Sequence, residues 1–188
     1  MGKYPVISIS LKGINAAAYE DAFDFAVQIM QRTAEEFQFL SDSEYLSEHD
    51  KSVYRELLDS NMSETVFCGG LKILSKLLEK HYRLKVILLI DEYDVPLDKS
   101  FLHGYYREMV SLMRILFGNV LKTNDALQFA VLTGCLRVSK ESIFTGLNNF
   151  KILSITDSRF DEQFGFTDME VKQLLKDYHL EQRFEETK

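Results

Sequence analysis

The sequence lacks the features that would place the protein in a membrane, secreted or thiolate-metal class. A transmembrane helix needs about 18 consecutive apolar residues, and no apolar run in the sequence is that long. The amino terminus, MGKYPVISIS, has neither the apolar stretch nor the cleavage site of a signal peptide. Cys68 and Cys135 stand far apart, with no CxxC pair, and are predicted to be reduced core thiols. These absences predict a cytoplasmic protein without a disulfide framework.

Positive charge is also scarce. The chain has 22 Lys and Arg against 29 Asp and Glu, which gives a formal net charge of −7. This balance argues against a basic surface that binds nucleic acid without regard to sequence. The hydrophobic content of 46% is that of an ordinary globular protein, and 188 residues suffice for one domain, with or without a small appendage.

The most informative stretch is residues 85–96, KVILLIDEYDVP. Five consecutive aliphatic residues, 86–90, lead directly into Asp91 and Glu92. A run that is apolar on both alternating faces predicts a strand buried on both sides, as in parallel sheets covered by helices. The two carboxylates then lie at the carboxyl end of the strand, which is the edge where open α/β sheets bind ligands.

The rest of the chain alternates between predicted strands and helices. Strands are predicted at 3–11, 127–133 and 151–155, and helices after Asn15, at about 47–60, after Ser63, at about 101–122 and at 168–178. The Gly69-Gly70 pair predicts a break or a close contact within its helix. This alternation predicts an α/β layered fold with a mainly parallel sheet.

Five sequence blocks carry a family resemblance: YPVISISLKGIN (4–15), VILLIDEYDVPL (86–97), GYYREMVSLMRILFGNVLKTN (104–124), VLTGCLRVSKESIFTGLNN (131–149) and FGFTDMEV (164–171). Together they resemble the bacterial AAA-ATPase-like proteins, P-loop ATPases that commonly carry a PD-(D/E)XK nuclease-like domain at the carboxyl end. The resemblance implies a P-loop NTPase-like three-layer sandwich, an ATPase-like core over 1–160 and the start of a helical lid or connector over 161–188.

The resemblance also implies roles for four residues. Asp91 matches the aspartate that positions magnesium, and Glu92 matches the glutamate that activates the attacking water in the Walker B motif. Thr133 stands where such proteins place a polar sensor, and Arg137 resembles the arginine that senses the γ-phosphate. ATP and Mg²⁺ are the cofactors of the intact family.

The sequence departs from the family at the Walker A motif. No GxxxxGK[ST] stretch is present, and Gly-Lys occurs only at Gly2-Lys3. In the family that motif precedes a strand resembling 4–11, so we expect Met1 to be an internal methionine or a truncated start. ATP binding should then be weak or absent and the isolated chain inactive. In a sheet ordered 5-1-4-3-2, strand 1 is the one that accompanies the missing motif, and 127–133 and 151–155 are strands 4 and 5. The loss of strand 1 would leave a gap between these two strands. We therefore expect either that they close up or that the protein self-associates through unpaired sheet edges.

Two other functions remain open. The carboxylates of Asp91, Glu92, Asp94 and Asp98 could hold Mg²⁺ in a hydrolase or nuclease, with Lys99 as the nearby lysine. The chain could also be a non-catalytic interaction domain, for which exposed apolar surface, self-association and indifference to nucleotide would be the evidence.

Overall fold

The structure is a computed structural model that describes residues 2–122, 124–135, 143–144, 151–154, 159 and 165–187. Two compact units divide the chain, Met1–Leu147 and Asn148–Lys188. The predicted functional division after residue 160 stays a prediction.

The elements of the first unit are β1 (Val6–Ser10), α1 (Tyr19–Glu35), a 3-10 turn (Gln38–Asp42), α2 (Glu48–Glu56), α3 (Glu64–Tyr82), β2 (Val86–Asp91), α4 (Val95–His103), α5 (Tyr106–Phe117), a π-helical turn (Gly118–Lys122) and β3 (Leu127–Leu132). The second unit contains α6 (Asp168–Asp177) and a 3-10 segment (Glu181–Thr187).

The three strands form a parallel sheet in the order β1-β2-β3. Ile9 pairs with Ile90 across β1 and β2, and Ile90 pairs with Leu132 across β2 and β3. The α/β fold with a parallel sheet is therefore confirmed, and it is consistent with a P-loop-like sandwich. Residues 151–154 are not in a strand, and position 155 lies outside the described residues.

Helices cover one face of this sheet. Consecutive strands are parallel neighbours, and because crossovers between such strands are right-handed as a rule, the connecting helices lie on the same side. Helix α1 packs on β1, α3 packs on β2, and the π-helical turn packs on β3. We call this side the covered face, and its buried side chains are Ile7, Ile9, Val86, Leu88 and Ile90.

The opposite side of the sheet, which we call the open face, remains exposed within the described part of the chain. It carries Val6, Ser8, Ser10, Ile87, Leu89, Asp91, Phe129 and Val131. Phe129 is 49% exposed, Val131 44% and Leu89 37%. The prediction that β2 is buried on both sides was therefore wrong. The apolar pattern of β2 is two-sided, but each described crossover covers the same side.

Helix boundaries follow local capping chemistry. The Ser47 hydroxyl accepts a hydrogen bond from the Asp50 N–H, and the Ser63 hydroxyl accepts one from the Val66 N–H, which confirms Ser63 as the cap of α3. Asn15 is not the cap of α1, since that helix begins at Tyr19. The backbone N–H of Asn15 instead donates to the Gly13 carbonyl in a tight turn.

Glycines explain one confirmed prediction and one difference in the helices. Gly70 does not break α3; a Cβ there would lie 2.9 Å from Met30 Sδ, so the expected close contact is with α1. The single helix predicted over 101–122 is divided, because Gly104 ends α4 in the left-handed conformation at φ 87°.

The two cysteines have different environments. Cys68 is buried against α5, and burial raises the pKa of its thiol to about 11, so it stays protonated at neutral pH. Cys135 is exposed, contrary to the prediction of a core position, because it follows β3 beyond the sheet edge. In α6, the predicted capping box between Thr167 and Glu170 is present.

Candidate functional site at the carboxyl edge of the sheet

Three loops meet at the carboxyl ends of the strands. They follow β1 at 11–18, β2 at 92–94 and β3 at 133–134. The Leu11 N–H donates to the Asp91 carbonyl at 3.0 Å, and the Thr133 N–H donates to the Ile90 carbonyl at 2.9 Å. The strand ladder therefore extends into the loops, and residues distant in sequence lie side by side.

Asp91 and Thr133 form the centre of this edge. The Thr133 Oγ1 hydroxyl donates a hydrogen bond to Asp91 Oδ1, and the Glu92 N–H donates to the same oxygen at 3.1 Å. Both side chains are exposed. Asp91 is in register with Ser10 on the other side, so all three polar groups lie at the same end of the open face. The sequence predicted Asp91 and Thr133 separately, and the parallel pairing of β2 with β3 brings them together.

Glu92 has an unusual backbone conformation. Its φ is 52°, in the left-handed region, which costs an L-residue with a Cβ roughly 1–2 kcal/mol. The side chain is directed toward β1, where Glu92 Oε1 lies 3.7 Å from the ammonium of Lys12. Glu92 and Asp91 thus follow each other in sequence but have different polar neighbours.

Lys12 is a site residue that the sequence reasoning missed. It follows β1 by two positions, and β1 is the parallel neighbour of β2, so the strand order was the signal that could have identified it. The lysine suggested by sequence proximity, Lys99, instead lies 3.5 Å from the adjacent Asp98.

The acidic residues at and after the end of β2 do not converge. Asp91 is exposed, whereas Asp94 is buried at 3% exposure beside Gly134. Within the described residues, no group of three or more His, Cys, Asp or Glu side chains is arranged to hold a metal ion. The multi-carboxylate metal site considered from Asp91, Glu92, Asp94 and Asp98 is therefore not formed in this part of the chain.

The loop after β1 is fixed to the helical layer. The Tyr105 hydroxyl donates to the Ala16 carbonyl at 2.8 Å, and the Ile14 N–H donates to the Leu11 carbonyl at 3.1 Å. Burial raises the pKa of Tyr105, although the bond to Ala16 partly opposes this, so the phenol remains a donor at neutral pH. Lys12 therefore lies in a loop that is held at both ends. Arg137, the predicted γ-phosphate sensor, lies outside the described residues.

Comparison with known proteins identifies the family. A model of the family described as "Predicted AAA-ATPase" matches residues 1–144, about three quarters of the chain. The chain belongs to the AAA-ATPase-like family. The match includes β1, β2, β3 and the edge that carries Asp91 and Thr133, so the candidate site lies within the matched region.

One curated relative of the chain is an uncharacterized protein from the vnfD 5' region of Azotobacter chroococcum mcd 1. It is 40% identical over 89 residues, which are 46% of this chain and 17% of the relative. The match therefore spans about a sixth of the relative's length. No solved structure matches the chain significantly. None of the helices in the described ranges is both long and apolar enough to cross a bilayer.

Proposed function

We propose that this chain is the Walker B and sensor portion of an AAA-like ATPase. Asp91 would position the Mg²⁺ that accompanies ATP, Thr133 would orient Asp91, and Glu92 would act on the attacking water. Arg137 is proposed as the γ-phosphate sensor from the resemblance alone. The observation that carries the proposal is the hydrogen bond from Thr133 to Asp91 between the carboxyl ends of adjacent parallel strands.

The chemistry of Asp91 fits a magnesium ligand. Its carboxylate is exposed at the sheet edge, and both hydrogen bonds that it accepts from described residues end on Oδ1. Oδ2 is therefore the oxygen available to a cation or to its water shell. Mg²⁺ is usually held by one or two carboxylates, waters and the substrate phosphates, so one well-oriented aspartate is sufficient on the protein side.

The remaining residues would serve orientation and proton transfer. The Thr133 hydroxyl donates to Asp91 and thereby fixes the carboxylate plane. Glu92, held by its backbone and by Lys12, would accept a proton from water. Bound Mg²⁺ would supply positive charge next to the phosphate oxygens. The phosphate-cradling loop is absent from this sequence, so we expect only weak ATP binding, without appreciable hydrolysis.

The proposal can be tested by titrating the chain with ATP, with and without Mg²⁺, and following backbone amide NMR signals. We expect magnesium-dependent shifts at Asp91, Glu92 and Thr133 that disappear in Asp91→Asn. Asp98→Asn is the matched control, because it removes the same charge from a half-exposed position on α4.

Equal shifts in Asp91→Asn and the wild type would overturn the assignment of Asp91. Phosphate release by the wild-type chain at an ATPase's usual turnover would overturn the expectation that the isolated chain is inactive. Loss of the shifts in both variants would also contradict the assignment, since the effect would then be one of net charge.

A non-catalytic interaction domain is the second candidate, and the open face favours it. Phe129 and Val131 are nearly half exposed, and β3, LQFAVL, carries no charged residue that would protect an edge strand. We propose a second copy of this chain as the occupant. Sedimentation should then show dimers that dissociate when Phe129 is replaced by Lys, and a monomer at all concentrations would overturn this candidate.

A further inference from the structure

Gly134 follows β3 and lies against the loop after β2. A Cβ built on it would lie 2.6 Å from Asp94 Oδ1, 2.9 Å from Asp94 Cγ and 2.9 Å from Tyr93 Cε1. Real Cβ atoms essentially never make non-bonded contacts shorter than 3.0 Å, so a neighbouring group would have to shift. The φ of Gly134 is outside the left-handed region, so the glycine is required for space and not for its backbone conformation.

Both neighbours of Gly134 are held in place. Asp94 is 3% exposed, and its carbonyl accepts hydrogen bonds from Leu97 at 3.1 Å and Asp98 at 3.0 Å, which begin α4. The Tyr93 ring packs edge-on against Phe144, at 5.4 Å between centroids. A methyl group at position 134 would therefore push the end of β3 away from the loop after β2.

The end of β3 is also the part that carries Thr133. The Tyr93 N–H donates to the Thr133 carbonyl at 3.1 Å, and the Thr133 hydroxyl donates to Asp91. These two hydrogen bonds and the Gly134 contact lie within two consecutive residues of β3's extension. Displacing one of them should weaken the others, because they share the same short backbone segment.

We infer that Gly134 is a positioning residue: its missing side chain sets the separation between the loop after β2 and the end of β3, and so keeps Thr133 in contact with Asp91. The consequence for magnesium and nucleotide rests on the proposed function, whereas the effect on spacing does not.

The test is Gly134→Ala, followed by amide hydrogen exchange. Exchange at the Tyr93 N–H should accelerate by about tenfold or more, while the Val86 N–H, which donates to Ala126 at the opposite end of β2, should change little. Gly118→Ala is the matched control, since a Cβ there meets nothing within 4 Å. It should accelerate exchange at neither amide.

A second variant separates spacing from general damage. The double variant Gly134→Ala/Asp94→Ala lacks the carboxylate that the new methyl group would meet. The exchange rate of the Tyr93 N–H in this variant should therefore be lower than the rate expected from adding the free-energy effects of the two single variants. Strict additivity, unchanged Tyr93 exchange in Gly134→Ala, or equal acceleration at Val86 would each overturn the inference.

The magnesium-dependent ATP shifts provide the second readout. If the wild type shows them, Gly134→Ala should reduce them at Asp91 and Thr133, and their full retention would overturn the role at the site. If the wild type shows none, the proposed function fails, and the exchange data alone decide whether Gly134 sets the spacing.

Discussion

The covered and open faces of the sheet come from the same strands but have different roles. On β2, Leu88 is fully buried under α3, whereas the next residue, Leu89, is 37% exposed on the other side. The covered face therefore contributes most of the apolar burial. The open face ends in Ser10, Asp91 and Thr133, so the candidate site is built on the side of the sheet that contributes less to stability. This arrangement separates residues that hold the fold from residues available to a ligand.

Adjacent leucines test this difference most directly. Leu88→Ala should lower the free energy of unfolding by about 2–5 kcal/mol, because it leaves a cavity in a packed core. Leu89→Ala should cost about 1–2 kcal/mol, because 37% of the residue is already exposed to water and only the remainder is buried on folding. Denaturant unfolding of both variants measures the two values. Equal losses would mean that the open face is covered in solution.

Two glycines test how tightly the covered side is packed. Gly70→Ala should destabilise the protein by about 1–2 kcal/mol net, because the clash with fully buried Met30 outweighs the gain in helix propensity. Gly118→Ala meets open space at a helical φ of −57° and should stabilise by up to about 1 kcal/mol. Thermal unfolding should show a lower Tm for Gly70→Ala and a higher Tm for Gly118→Ala. A higher Tm for Gly70→Ala would show that the α1–α3 contact is loosely packed.

A smaller effect is expected at the rim of the helical layer, where Lys80 of α3 contacts Asp50 of α2 at 2.5 Å. Burial alone raises the pKa of Asp50, but hydrogen bonds from Lys80 and Ser47 outweigh it and hold the pKa below its usual value. A lowered pKa in the folded state contributes stability above the unfolded pKa of about 4, and this contribution is lost as the pH falls through the folded value.

Asp50→Asn should therefore remove about 0.5–1 kcal/mol of stability at neutral pH and flatten the acid limb of the stability curve below about pH 4. Glu48→Gln is the control, because its contact with Lys51 is 83% exposed on the glutamate side. Urea unfolding between neutral and acidic pH measures both. An acid limb in Asp50→Asn as steep as in the wild type would contradict the role of this ion pair.

Local sequence patterns predicted the type and capping of the elements better than they predicted where a helix ends or which faces are buried. The Ser63 cap and the Thr167–Glu170 capping box were confirmed because each depends on residues three positions apart. The helix predicted over 101–122 missed the end at Gly104, since a glycine alone does not reveal whether its φ is positive. The prediction that β2 is buried on both faces was wrong. Hydropathy shows only that a side chain is apolar, whereas the direction of the crossovers decides which face the helices cover.

The candidate site divides in the same way. By itself, the sequence determined the parallel α/β elements, the strand that ends in Asp91 and Glu92, and the family, because strand periodicity, capping and motif spacing are local properties of the chain. Only the tertiary structure decided that Thr133 donates to Asp91, that Lys12 lies near Glu92 and that Gly134 lies against Asp94. These contacts join residues roughly 40 to 80 positions apart, and they depend on the order and register of parallel strands, which side-chain pattern alone does not specify.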